Sequence, residues 1–173
     1  FRYKLKKNLV LTGMMGVGKS SIGKELSQRL NMEFKDVDTI IENKLSSSIS
    51  EIFEKKGEDY FREIEEKESI DILNKKNFVV ALGGGAFINE KIRKETNKNC
   101  VSFWLDLDIK IIFQRIKDSM KRPLLNNNTS ELSIKKLYES RKKIYSLSDF
   151  RIDCNSKTKN KIIEEVLGIY ESI

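Results

Sequence analysis

Apolar positions along this chain follow two alternating rhythms. Five short runs carry little polarity: Asn8-Leu9-Val10-Leu11-Thr12, then segments around Phe34, Val79-Val80, Phe103-Trp104 and Phe150-Ile152. They predict strands over 8–12, 32–36, 78–82, 100–105 and 149–153. Between them apolar residues return every three or four positions, as Ile22, Leu26 and Leu30 do. That spacing predicts helices near 18–30, 37–45, 49–55, 58–74, 88–95, 108–117, 131–147 and 158–171. Apolar strands alternating with helices imply an α/β fold, a parallel sheet with helices over both faces in three layers. Ligands of such sheets bind past the carboxyl ends of the strands. Three polar or glycine-rich motifs fall at such ends: residues 13–20, Asp36-Val37-Asp38 and Gly83-Gly84-Gly85.

The first of these, Gly13-Met14-Met15-Gly16-Val17-Gly18-Lys19-Ser20, fits the phosphate-loop pattern G-x-x-x-x-G-K-[ST] between a predicted strand and a predicted helix. Gly13, Gly16 and Gly18 permit φ > 0, so successive N–H groups can point into one concavity. A helix starting near Gly18 adds unsatisfied N–H groups and its positive dipole end. Lys19 can reach the β- and γ-phosphates of a nucleotide, and the Ser20 hydroxyl can ligate Mg²⁺. A chance glycine-rich turn has no need of this strand–loop–helix setting.

Composition narrows the rest. A chain of 173 residues is read as one domain that buries about 70% of its unfolded surface. No run is long enough to cross a bilayer, and no secretory apolar region opens the chain. The chain begins at Phe1 rather than Met, so a few preceding residues are expected. Histidine is absent, and Cys100 and Cys154 stand apart, which excludes His-ligated metal sites and Ser-His triads. A reduced, cytoplasmic setting follows. The net charge of +7 raises nucleic acid as a partner. Its lysines, however, are interleaved with acids, as in Glu54-Lys55-Lys56-Gly57-Glu58, so solvated helix faces and an anionic small molecule explain the charge better.

A phosphate loop names a nucleotide but not an acceptor. Asp36 and Asp38 alternate at a strand end, so one can serve Mg²⁺ while the other faces an acceptor hydroxyl. Asp38 could equally be a helix N-cap ahead of Thr39-Ile40-Ile41. Arg62 and Glu65 share a helix face and can pair, as many surface ions do. Three glycines after a buried strand bring bare N–H groups close to a ligand. Residues 118–130, with the sole proline, Pro123, lack a period and read as a lid or as a plain connector. Arg141 is ambiguous from its surroundings alone.

Taken in order, the motifs resemble shikimate kinase from end to end. The landmarks are Gly-Met-Met-Gly-Val-Gly-Lys-Ser, Phe-Lys-Asp-Val-Asp, Ser-Ile-Ser-Glu-Ile-Phe, Gly-Glu-Asp-Tyr-Phe-Arg-Glu-Ile-Glu, Ala-Leu-Gly-Gly-Gly-Ala, Lys-Arg-Pro-Leu-Leu and Ser-Arg-Lys-Lys-Ile-Tyr, spanning residues 13 to 145. The resemblance implies a P-loop kinase fold of nucleoside-monophosphate-kinase type, with a five-stranded parallel sheet. It also implies a helical acceptor region at about 36–66 and a lid at about 116–130. The implied reaction is ATP-dependent phosphorylation of the shikimate 3-hydroxyl by a monomer, with Mg²⁺ and without nucleic-acid or membrane partners. Asp38 would hold the acceptor hydroxyls and act as base. Arg62 and Arg141 would clamp the shikimate carboxylate, with Glu65 orienting Arg62. Gly83, Gly84 and Gly85 would meet the ring hydroxyls, and Phe53 and Phe61 would wall the ring. Gly13, Gly16, Val17, Gly18, Lys19, Ser20 and Ser21 would hold the nucleotide, with Arg115 against adenine. Ser20 and Asp36 would serve Mg²⁺, and Lys19 and Arg122 would cover the transferring phosphate. The chain departs from the family at Asp153-Cys154-Asn155-Ser156-Lys157, where the second adenine wall is expected, and in the bulk of Met14 and Met15. A kinase of another polyol acid such as gluconate, or a non-catalytic binding protein, are the alternatives.

Overall fold

The computed structural model describes residues 6–118 and 130–173. Strand β1 (Asn8–Thr12) is buried throughout and leads through the phosphate loop into α1 (Lys19–Leu30). β2 (Glu33–Asp36) is followed by three helices, α2 (Val37–Leu45), α3 (Ile49–Lys56) and α4 (Glu58–Leu73). β3 (Phe78–Ala81), a 3₁₀ turn at Ala86–Ile88 and α5 (Glu90–Asn99) come next. Then follow β4 (Cys100–Asp106), α6 (Ile109–Asp118), α7 (Glu131–Tyr145), β5 (Phe150–Asp153) and α8 (Lys159–Glu171). The strand positions foreseen from the apolar runs hold to within one residue, and the helices to within a few.

Among the described residues the strands form one sheet in the order β2-β3-β1-β4-β5, every pairing parallel. Leu9 faces Val79 on one side and Val101 on the other, so β1 is the central strand. The two edges differ from the centre as expected: β2 and β5 carry exposed positions, whereas all of β1 and β4 is buried. Because the strands are parallel, their carboxyl ends share one rim. The phosphate loop leaves β1, Asp36 ends β2 and the triple glycine follows β3, so all three motifs occupy it.

Helix α1 shows how sequence fixes the packing. Ile22, Leu26 and Leu30 are buried at helical spacing, each contributing about 2 kcal/mol through apolar burial. Gly23 on the same helix has no room for a side chain, since a Cβ there would come within 2.5 Å of the Phe34 ring on β2. The helix ends at Asn31, which adopts the left-handed conformation at φ 54° that Asn tolerates well.

One polar residue is embedded in this core. Asn8 is fully buried at the base of the sheet. Its amide donates to the carbonyls of Ile72 (3.2 Å) and Lys75 (2.9 Å), and its oxygen accepts from the Phe78 N–H at 2.9 Å. It thereby joins the end of α4 to the start of β3. Asn8→Ala leaves these buried groups unpaired at about 2–3 kcal/mol, which lowers Tm by about 5–10 °C. Thermal denaturation checks this, and a shift under about 1 °C would remove Asn8 from any structural role.

Candidate active site

Three glycines build the phosphate loop by backbone geometry. Gly13, Gly16 and Gly18 have φ of 135°, 85° and 103°, in the region that side chains disfavour. Gly18 caps α1 without a side-chain bond, and no acid lies in the first helical turn. The open N–H groups and positive dipole end are thus presented to an anion. Lys19 Nζ donates to the loop's own carbonyls, at 2.5 Å from Gly13 O and 3.0 Å from Met14 O. Arg115 on α6 reaches across to the same loop, donating to the carbonyls of Gly16 (3.1 Å) and Val17 (3.3 Å).

The two aspartates divide differently from the sequence expectation. Asp36 is both the last residue of β2 and the N-cap of α2, accepting from the Thr39 N–H at 3.2 Å. Its other carboxylate oxygen accepts from the Ser20 hydroxyl. Asp38 lies in the first turn of α2. The two side chains are therefore separated by a strand-to-helix transition, and not by strand alternation. The capping role considered for Asp38 belongs to Asp36.

Across the rim, α4 supplies a charged pair on an aromatic wall. Arg62 donates to Glu65 at 2.8 Å and to Glu58 at 3.4 Å, and lies over the Phe61 ring at 5.2 Å. Phe53 and Phe61 face each other with centroids 4.9 Å apart. The Glu65 side chain is only 2% exposed. Burial pushes its carboxyl above the ordinary value, Arg62 opposes this, and nearby Asp38 adds to it. Burial alone would lower the Arg62 guanidinium, but Glu65 and Glu58 together raise it.

None of the three glycines of the turn has a positive φ, so what distinguishes them is the crowding of neighbouring side chains and not backbone angle. A Cβ on Gly83 would stand 2.9 Å from Asp38 Oδ1 and 3.1 Å from Glu65 Oε2. One on Gly84 would meet Arg141 Nη1 at 3.3 Å, and one on Gly85 both terminal nitrogens of Arg62 at 2.6 Å. The turn is therefore the surface against which both carboxylates and both guanidinium groups rest. Arg141 on α7 is 8% exposed, and its Nη1 is buried without a hydrogen-bond partner. A buried guanidinium nitrogen left unpaired is costly, so this is a place where an anion is expected to bind.

A cavity of about 520 Å³ joins these parts. Gly16, Gly18, Lys19, Ser20, Ser21, Asp36 and Asp38 line one side, and Phe53, Phe61, Arg62, Glu65 and the three glycines the other. Gly13 and Val17 are not part of this lining, and their carbonyls accept from Lys19 and Arg115. Arg141 instead lines an adjoining cavity of about 500 Å³, shared with Arg62 and Gly85. Arg122 and most of the expected lid lie outside the described residues. The sequence reading missed Thr39, Glu42, Ser48 and Ser50, which also line the main cavity. Glu42 is four residues after Asp38 on α2, a spacing that marks one helix face. Met14 is buried in the core, so its bulk leaves the phosphate site open. Cys100 and Cys154 are buried, their thiols pushed up by burial to about 12 and about 11, which makes them unreactive.

The family model for shikimate kinase matches residues 15–171. The chain belongs to the shikimate kinase family. A shikimate kinase from a Sulfurihydrogenibium species is 43% identical over 161 residues, covering 93% of this chain and 96% of that protein. The structure of shikimate kinase from Acinetobacter baumannii in complex with shikimate superposes with a TM-score of 0.92 at 30% identity, covering 96% of this chain and 94% of that one. Shikimate kinase from Aquifex aeolicus gives a TM-score of 0.83 at 36% identity, covering 95% and 96%. Coverage this complete extends the shikimate kinase likeness beyond the phosphate loop to the acceptor side of the cavity, and the P-loop kinase fold expected from the motifs is the one observed.

Proposed function

We propose that the chain transfers the γ-phosphoryl group of ATP to the 3-hydroxyl of shikimate, giving shikimate 3-phosphate and ADP. The observation that carries this reading is the unpaired, buried Nη1 of Arg141 beside the glycine turn, at a cavity shared with Arg62 that adjoins the one beginning at the phosphate loop. A carboxylate supplies that nitrogen with its partner and forms charge-assisted bonds with Arg62 as well. Phe53 and Phe61 wall the ring, and Glu65 holds Arg62 in place.

Asp38 takes the proton of the acceptor hydroxyl as its oxygen bonds to the γ-phosphorus. The bond from that phosphorus to the bridging oxygen breaks, and ADP leaves with the charge. Lys19 and the loop N–H groups offset charge on the phosphates. Lys19 must exchange its two loop carbonyls for phosphate oxygens when the nucleotide enters. Arg115 meets the adenine, and Arg122 covers the transferring group in the role the resemblance implies. Ser20 and Asp36 present adjoining oxygens at the phosphate end, a donor set that suits Mg²⁺, which keeps most of its waters. When bound there, Mg²⁺ neutralises charge on the phosphates. The reading is of one domain acting as a monomer in the cytoplasm, without nucleic-acid or membrane partners. Among the described residues no helix is long and apolar enough to cross a membrane.

A coupled assay of ADP release with MgATP tests the proposal, with shikimate, with gluconate and with neither acid. Release that depends on shikimate is expected. Release that depends on gluconate instead would transfer the assignment to another polyol acid, and equal release in all three arms would leave only a nucleotide hydrolase.

A further inference from the structure

Tyr145 lines neither cavity, yet it is the side chain that holds the glycine turn. It ends α7 and is fully buried. Its hydroxyl donates to the Gly84 carbonyl at 2.5 Å. The same hydroxyl lies 3.7 Å from Met14 Sδ in the phosphate loop, and its ring is 6.0 Å from that of Trp104 on β4. One side chain therefore touches three of the segments that meet at the rim.

The peptide geometry gives this contact its consequence. The Gly83 carbonyl is taken by the Ala86 N–H at 3.1 Å and that of Gly85 by the Ile88 N–H at 3.2 Å. The carbonyl of Gly84 is the one held by a side chain. A trans peptide is planar, with its C=O and the following N–H pointing in opposite directions. Fixing the Gly84 oxygen towards α7 therefore aims the Gly85 N–H away from α7. Without that bond, glycine on both sides of the peptide allows the plane to turn freely. Arg141 precedes Tyr145 by one helical turn, so the two side chains share a face. A Cβ on Gly84 would meet Arg141 Nη1 at 3.3 Å, so the helix that holds the turn also brings up one of the two arginines. Burial pushes the Tyr145 hydroxyl above its ordinary range, against the opposing charge of Arg141, and this keeps it a donor.

We infer that Tyr145 is a positioning residue for the acceptor, its hydroxyl setting the Gly84–Gly85 peptide plane and registering it with Arg141. This rests on the shikimate reading above. It acts on acceptor affinity through the 2.5 Å bond to Gly84, the hydroxyl's contact with Met14 Sδ in the phosphate loop being a weak one at 3.7 Å.

The test is Tyr145→Phe, which keeps the ring and its burial. Shikimate KM and the calorimetric shikimate Kd are expected to rise about tenfold, while ATP KM changes by less than about twofold, the size of one lost hydrogen bond. A purely structural role would lower Tm and leave both affinities alone, and that pattern overturns the inference. So does an equal rise in the shikimate and ATP constants, which would mean a general loosening of the rim. The parent enzyme is assayed alongside. Failure of the parent to use shikimate sinks the functional reading and this inference with it, whereas an active parent with an unchanged variant sinks the inference alone.

Discussion

Asp38→Asn lowers the turnover of shikimate by about a thousandfold while MgATP affinity stays within about twofold. Asparagine has nearly the same shape but cannot take the proton of the acceptor hydroxyl. The effect falls on the chemical step because the substitution keeps the side chain's shape and changes no group of the phosphate loop between β1 and α1. Asp38 lies in the first turn of α2, with a carboxylate oxygen only 2.9 Å from where a Gly83 side chain would begin. Lys19 and the loop glycines are borne on β1 and α1. Steady-state turnover combined with an equilibrium nucleotide titration makes the measurement. A variant that retains full turnover would remove Asp38 as the base, and one that loses nucleotide affinity equally would move it to the phosphate side.

Arg62→Ala raises shikimate KM by about a hundredfold and makes stability more sensitive to pH. The two effects share a cause, since Arg62 is at once the proposed carboxylate partner and the counter-charge of Glu65. The Glu65 carboxyl is already raised in the folded protein by burial, with Arg62 opposing and Asp38 reinforcing. A carboxyl raised on folding contributes most below its unfolded pKa, and that contribution is lost as pH rises through the folded value. Removing Arg62 raises the folded value further. The Tm deficit of the variant is therefore small near the unfolded value of 4.5 and widens as pH is raised above it. Thermal denaturation across that range reads the effect, and a deficit that stays flat with pH would dismiss the coupling. Adding Glu65→Gln removes the pH dependence without restoring shikimate affinity.

The fold was legible because burial and periodicity agree. Leu9-Val10-Leu11 and Val79-Val80 are strands buried on both faces, and Ile22, Leu26 and Leu30 mark one helix face. The phosphate loop was equally open to reading, since its chemistry is written in consecutive residues. The acceptor side was legible only as a set of motifs in order, because Arg62, Gly84 and Arg141 are distant in sequence and meet only at the rim. Local detail was less accessible. Sequence allowed a cap at Asp38, whereas the helix begins at Val37, two residues earlier than that reading needs, and Asp36 takes the bond. The glycines after β3 promised bare N–H groups near a ligand, but the side chains that crowd them, Asp38, Glu65, Arg62 and Arg141, are scattered along the sequence. Tyr145 closes the last of those motifs, Ser-Arg-Lys-Lys-Ile-Tyr, but carried no role there, because a tyrosine on the apolar face of α7 looks like any core residue until its hydroxyl is seen on Gly84.

Arg62 and Gly85 occupy one volume between them, since both terminal nitrogens of the guanidinium would lie 2.6 Å from a side chain begun at position 85. A side chain begun at 85 displaces the guanidinium, which is the far end of a flexible side chain and can move into the cavity it lines. Position 85 is thus a backstop that sets where the Arg62 charge rests. Enlarging it re-aims that charge without removing it.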